Sequence, residues 1–250
     1  MIFTPNDIAR YLYCPLLPRK KEHLVYPAMS VFETCIGESI KQAEKSCLIK
    51  ESELLPRKIT KAWDDIWWPM VAANKINFKE AKAKTIKASP YFIDYCKYDI
   101  SDHLHPTVGV DIETKIPIGQ SILHSHIDLI KVDLTLQEKN MMLIDFSKKE
   151  MKTVDAGLDP GIAATALGLS RGAGESIQYV LVEIDEKKDK LFVTTSVFRP
   201  SDLDNIRNMI LSIERNIRKN VVYGDRWKCK ECQACPSFKY LMNEDGRLRQ

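Results

Sequence analysis

No stretch of this chain approaches the roughly 18 uninterrupted apolar residues that a membrane span needs. The N-terminus, MIFTPNDIARYLYCP, lacks both the basic start and the apolar run of a signal peptide. The expectation is an intracellular, cytoplasmic protein with no membrane partner. Charge of one sign is also missing in excess: 37 Lys and Arg against 34 Asp and Glu leave a net charge of +3. Global charge therefore does not mark a nucleic-acid binder. Local basic clusters can still serve that purpose: Arg19-Lys20-Lys21, the lysines between Lys75 and Lys87, and Arg207 to Lys219. Such clusters are more often solvated helix faces. Internal repeats and low-complexity segments are absent. An even cysteine count is absent too: of seven, three crowd near the C-terminus, which suits metal ligation in a reducing compartment better than a disulfide framework.

What is present is an ordinary globular composition, 44% hydrophobic and 28% charged over 250 residues. That length buries a substantial core, and the reading is a single domain over 1–250. Thr4-Pro5 opens a short helix to about Tyr13, and Cys14-Pro15 stops it. Val31, Cys35, Ile36, Ile40 and Ala43 recur at helical spacing within Met29 to Cys47. About 50–100 reads as a helical insertion of two or three helices, holding Trp63, Trp67, Trp68 and many lysines. A sheet core follows over about 107–200. Thr107 to Ile118 is strand-like, Gly119-Gln120 turns, and Ile122 to Lys149 supplies two strands around a polar turn. Asp159 to Arg171 reads as a helix, Ile177 to Glu183 and Leu191 to Phe198 as strands. Ser201 caps a last helix with Leu203, Ile206, Ile210, Ile213 and Ile217 on one face. The order predicts an α/β (α+β) fold with a mixed central sheet flanked by helices.

Each of the two middle strands carries an aspartate among apolar residues: Asp128 in HIDLI and Asp145 in LIDF. A buried carboxylate is costly unless its charge is compensated. A hairpin centred between Leu136 and Gln137 sets Asp128 opposite Asp145, where like charges destabilise a sheet. A hard divalent cation, Mg²⁺ or Mn²⁺, turns that liability into a site. Alternation puts His124, His126 and Asp128 on one face, matched by Leu143, Asp145 and Ser147, with Lys148 pointing the other way. Glu113, on the preceding strand, is a third candidate carboxylate. The plainer reading is two unrelated aspartates, half exposed at strand ends.

The pattern "G-x-x-D-hydrophobic", a short turn, then "hydrophobic-(D/E)-x-K" resembles the PD-(D/E)XK nuclease superfamily. HSHIDLI, LIDFSKK, the early YLYCP before a basic run and the late CKECQACP together resemble its RecB-like branch, more closely the CRISPR-associated exonucleases with an iron–sulfur cluster. The resemblance implies a restriction-endonuclease-like fold and a metal-dependent DNA nuclease, an exonuclease on single-stranded or frayed DNA. It implies Asp128 and Asp145 as metal ligands, with the Phe146 carbonyl as a third. DNA, and other CRISPR-adaptation or recombination proteins, are the implied partners. Three positions depart from the family pattern. Ser147 stands where a lysine assists the attacking water, with Lys148 and Lys149 just beyond. Lys41 ends GESIK where the family has a helical histidine. The Q-x-x-x-Y helix motif is not recognisable in Asp159 to Arg171. Lys148 or Lys41 could take the missing role. The alternative is a catalytically weakened DNA-binding or assembly subunit of the same fold.

Cys229, Cys232 and Cys235-Pro236 have the C-x2-C-x2-C-P spacing of iron–sulfur ligation. In the resembling branch one early cysteine joins three late ones around a [4Fe-4S] cluster, which implies Cys14 as the fourth ligand. Such a cluster would join the N- and C-terminal regions and remove several kcal/mol of unfolded-chain entropy. Zinc on the same four thiolates is the alternative, as in a stapled interaction module whose aspartates are structural. Cys35, Cys47 and Cys96 read as core residues. His126 is a candidate secondary ligand. The three tryptophans read as packing; an exposed one would serve to stack a base of single-stranded DNA.

Overall fold

The computed structural model describes residues 2–5, 7–8, 29–47, 55–98, 101, 104–134, 140–148, 166–167 and 176–219. Six strands form one mixed sheet: β1 (Ile2–Phe3), β2 (Thr107–Ile118), β3 (Ser121–Asp133), β4 (Asn140–Lys148), β5 (Ile177–Asp185) and β6 (Lys190–Phe198). The order is β1-β3-β4-β5-β6, with β2 on the other edge of β3. β4 and β5 run parallel, as do β1 and β3; the other pairs are antiparallel. Among the described residues four helices flank the sheet: α1 (Val31–Cys47), α2 (Leu55–Ala73), α3 (Phe78–Lys97) and α4 (Pro200–Arg218). This is an α/β fold consistent with the restriction-endonuclease-like arrangement.

Local chemistry fixes the helix starts. Ser30 and Glu33 form a reciprocal cap on α1: the Glu33 amide donates to Ser30 Oγ, and Glu33 Oε2 accepts from the Ser30 amide at 2.6 Å. Thr4 and Asp7 do the same for the turn after β1, as the expected Thr4 cap requires. Its continuation to Tyr13 lies outside the described residues. α4 begins at Pro200, not after Ser201. Asp202 reaches back to the Arg199 amide at 2.9 Å, so Ser201 lies inside the first turn and is not the cap.

The helices bury two cores on opposite faces of the sheet. Against α1, α2 and α3 lie Leu129, Met142, Ile144, Phe146, Val180 and Val182. Against α4 lie Leu143, Ile177, Tyr179 and Phe198, contacted by Leu203, Ile210 and Ile213. Trp63 and Trp67 are fully buried and stacked, 4.9 Å between centroids, with Phe32 edge-on to both. That removes them as base-stacking candidates, since neither ring face reaches solvent. Trp68 alone of the three is half-exposed, stacked on Phe78. Cys35 is a core residue, whereas Cys47 and Cys96 are only half-buried because each sits near a helix end. Burial pushes the Cys35 thiol up to about 11, with the Glu38 charge adding to it.

Candidate metal centre

The β2–β3 turn is centred on Gly119-Gln120, and the register around it sets Val110 opposite Leu129 and Ile112 opposite Ile127. Asp111 and Asp128 occupy the row between. The β3–β4 register ends with Leu129 opposite Ile144, and one further step sets Asp128 beside Asp145. Three adjacent strands thus bring three aspartates into one row, and the hairpin centre expected between Leu136 and Gln137 matches this register.

The sheet is irregular at that row. Asp111 has φ +52, a left-handed conformation uncommon outside glycine and tolerated best by Asn and Asp. Residues two apart on a strand share a face, yet Val110 and Leu129 pack with the α1–α3 core while Ile112 and Ile127 pack with the α4 core. The alternation inverts across the aspartates. β3 and β4 also part there: beyond Leu129–Ile144, β4 continues to Lys148 paired with β5, while the same edge of β3 next pairs with β1 at Ile122 and Leu123. Side chains bridge the fork. The Phe146 amide donates to Asp128 Oδ2 at 2.8 Å, and the Asp128 amide donates to Asp145 Oδ1 at 3.1 Å. Tyr179 on β5 donates its hydroxyl to Asp145 Oδ2 at 2.6 Å.

Electrostatics follow from this crowding. Burial, then the neighbouring Asp128 charge, pushes Asp145 up to about 7 against the donors that favour its anion, Tyr179 and the Asp128 amide. Lys41 enters from α1, with its side chain 8% exposed. Its Nζ lies 2.6 Å from Glu38 Oε1, 2.7 Å from Asp111 Oδ1 and 3.1 Å from Asp128 Oδ1. Burial disfavours that ammonium, but hydrogen bonds to Asp111, Glu38 and Asp128 outweigh it and hold Lys41 above the usual lysine range. Gly37, one turn earlier, packs α1 against Phe146 of β4; a Cβ there would lie 3.4 Å from Phe146 Cβ, an ordinary contact distance.

Among the described residues, one triad has the spacing for a metal ion. Ligand atoms of Asp111, His126 and Asp128 all lie within 4.8 Å of one another. Trans oxygens on Mg²⁺ are about 4.2 Å apart, so small side-chain rotations close the set. Two carboxylates and an imidazole fit Mn²⁺ or Mg²⁺, with oxygen donors dominant. The ammonium of Lys41 contacts Asp111 Oδ1 and Asp128 Oδ1, so it would compete with such an ion for these two carboxylates. Asp145 stands beside the triad, with both oxygens already accepting hydrogen bonds.

No protein-family model matches the chain, and no curated protein matches it. Among solved structures the chain is similar to the crystal structure of SSO0001, at 13% identity, covering 80% of this chain and 95% of that one with a TM-score of 0.31. It is similar also to an alkaline exonuclease, LHK-Exo, from Laribacter hongkongensis, at 11% identity, 82% and 98% coverage and a TM-score of 0.34. At such scores neither likeness transfers a residue role or an activity to this chain.

Of the sequence-derived candidates, Asp128, Asp145, Lys41, His126 and the Phe146 backbone come together. Glu113 lies two residues beyond Asp111, largely exposed, with its carboxylate 3.3 Å from His124. Lys148 is on β4 opposite Ile184, and its side chain lies outside the described residues. Ser147 is half-buried opposite Glu183. Cys14, Cys229, Cys232 and Cys235 lie outside the described residues, as do Lys149 and nearly all of Asp159 to Arg171. Sequence reasoning missed Asp111, Glu38 and Tyr179. The signal for Asp111 was available: a hairpin centred on Gly119-Gln120 already sets it opposite Asp128.

Proposed function

We propose that this protein is a metal-dependent nuclease that hydrolyses phosphodiester bonds in DNA, single-stranded or frayed. The observation that carries this reading is the row of Asp111, Asp128 and Asp145 on three adjacent strands, with His126 beside it. Three carboxylates abreast oppose folding unless cations compensate them. When bound, a divalent ion supplies Lewis acidity, generating a nucleophile from water near neutral pH and offsetting charge at the phosphate. Asp111, His126 and Asp128 would hold it. With such an ion bound, the Lys41 ammonium would remain tethered through Glu38, where it could face a phosphate oxygen.

The test is degradation of labelled single-stranded DNA with Mn²⁺ by wild type, Asp128→Ala and Asp145→Ala. Loss of cleavage in both variants is the expected result. Equal activity in all three preparations would place the chemistry elsewhere.

A second reading has its own support: the Lys41 ammonium contacts both Asp111 and Asp128, at 2.7 and 3.1 Å, and Ser147 stands where the resembling family has its assisting lysine. A catalytically weakened DNA-binding or assembly subunit would show tight, salt-sensitive DNA binding without cleavage. For either reading we propose, from the resemblance to the iron–sulfur RecB-like branch together with the C-x2-C-x2-C spacing, that Cys14, Cys229, Cys232 and Cys235 hold a [4Fe-4S] cluster in a cytoplasmic protein of CRISPR adaptation or recombination. Anaerobically purified protein should then be brown. A colourless protein with stoichiometric zinc would overturn the cluster.

A further inference from the structure

We propose that the α2–α3 elbow binds single-stranded nucleic acid, with bases stacking on Phe78 and unpaired lysines taking the phosphates. Phe78 opens α3 and is 71% exposed. One face of its ring rests on Trp68 near the end of α2, with centroids 5.8 Å apart and planes at 26°. The other face is left to solvent. Ile86 and Ile93 continue an exposed apolar stripe down α3, and at about 100° per residue all three fall within a sector of about 80°. One exposed apolar residue is ordinary, whereas a stripe of three at helical spacing marks a contact surface.

The charges around this stripe select the partner. Lys79 and Lys82 flank Phe78 on its own helix, and Lys75 sits in the preceding turn with φ +53. Lys61 lies two turns before Trp68 on α2. None of these four makes an ion pair among the described residues. The other lysines of α3 are committed: Lys84 to Glu80 and Glu186, Lys87 to Asp189, Lys97 to Asp94. Of the nearby acids, Glu80 and Asp94 on α3 are paired with Lys84 and Lys97, and Asp64, one turn before Trp68 on α2, follows Lys61 by three residues on the same helix face. A purely apolar partner would leave the lysines without counter-charge. A single strand presents what both halves of the surface need: π-faces for the aromatic platform and phosphates for the cations, in a sequence-tolerant way. Binding here uses none of the aspartates, so it goes beyond the nuclease reading and fails separately from it.

The experiment is fluorescence anisotropy of labelled oligothymidylate with the full chain in EDTA, which prevents cleavage. The expected result is salt-sensitive binding, with tryptophan quenching that is lost in Trp68→Phe. Phe78→Ala should weaken binding about ten-fold. Lys79→Glu with Lys82→Glu should lower the slope of log affinity against log salt by about 1.4. Phe78 and both lysines are exposed, so far-UV circular dichroism should be unchanged in these variants. The proposal is overturned if oligothymidylate does not bind, or if both the Phe78 and the paired-lysine variants bind as wild type. Phe78-dependent self-association in sedimentation without DNA binding would overturn it equally, and would mark a protein interface.

Discussion

Lys41 sets one buried ammonium against Glu38, Asp111 and Asp128, so replacing it with methionine changes charge more than volume. Metal-free Lys41→Met should lose roughly 3 kcal/mol, the usual cost of unpairing a buried charge. A divalent ion should recover that loss. In thermal melts, Mn²⁺ should therefore raise the Tm of Lys41→Met by more than that of wild type; equal shifts would mean that ion and ammonium do not compete. Asp145 gives a pH dependence with the opposite sign to an ordinary ion-paired aspartate. Its folded-state pKa is raised to about 7 by burial and then by the Asp128 charge, so protonation favours the folded chain. That contribution is full below about pH 4 and is lost as pH rises through about 7. In EDTA, urea unfolding should show stability falling across this window, with a flatter fall in Asp145→Asn. An unchanged slope in that variant would refute the assignment. Asp128 and Asp145 were legible at this scale because each breaks an apolar run. Asp111 was hidden in a strand of alternating charge, and its left-handed backbone has no signature in VGVDIET.

At the scale of elements, the β2–β3 turn fixes the first half of the aspartate row. Gly119 has φ +62, and a Cβ there would run into the Glu214 carboxylate and Leu211. Glu214 accepts from the Gln120 amide and from Ser121 Oγ at 2.7 Å, and these donors with Arg218 hold its carboxyl below the usual range. Gly119→Ala should therefore destabilise the fold by about 2 kcal/mol in denaturant unfolding. A neutral outcome would mean that α4 does not clamp this turn. A second clamp joins α1 to β3. The buried Lys131 Nζ lies 2.7 Å from Glu44 Oε1, while Tyr95 and Thr107 also donate to that carboxylate. Lys131→Met should cost about 3–5 kcal/mol, since it strands Glu44 without a counter-charge; an effect below 1 kcal/mol by the same unfolding measurement would contradict this. Elements bounded by strong local chemistry were legible: β2 matches its expected limits, and α1 follows its Ser30–Glu33 cap. The start of α4 was misjudged because Pro200 is as good a first residue as Ser201 is a cap. β1 is two residues long, and nothing local distinguishes it.

For the whole molecule, fold class followed from the order of elements, with helices before and after a meander. The parallel pairing of β4 with β5 and the docking of β1 on β3 arise from contacts far apart in sequence, which periodicity does not encode. The same holds for the inversion of the sheet at Asp111, which delivers Val110 and Ile112 to opposite cores. The site depends on that non-local geometry: a helix ammonium, a β-fork and three strands meet at one row. We propose that this row is a cation centre. Mn²⁺ titration followed by electron paramagnetic resonance tests this most directly, using wild type, Asp111→Asn and Asp128→Asn. Saturable Mn²⁺ binding by wild type, weakened by Asp111→Asn and abolished by Asp128→Asn, is the expected result. Absence of binding to wild type, or equal binding by all three proteins, would contradict it.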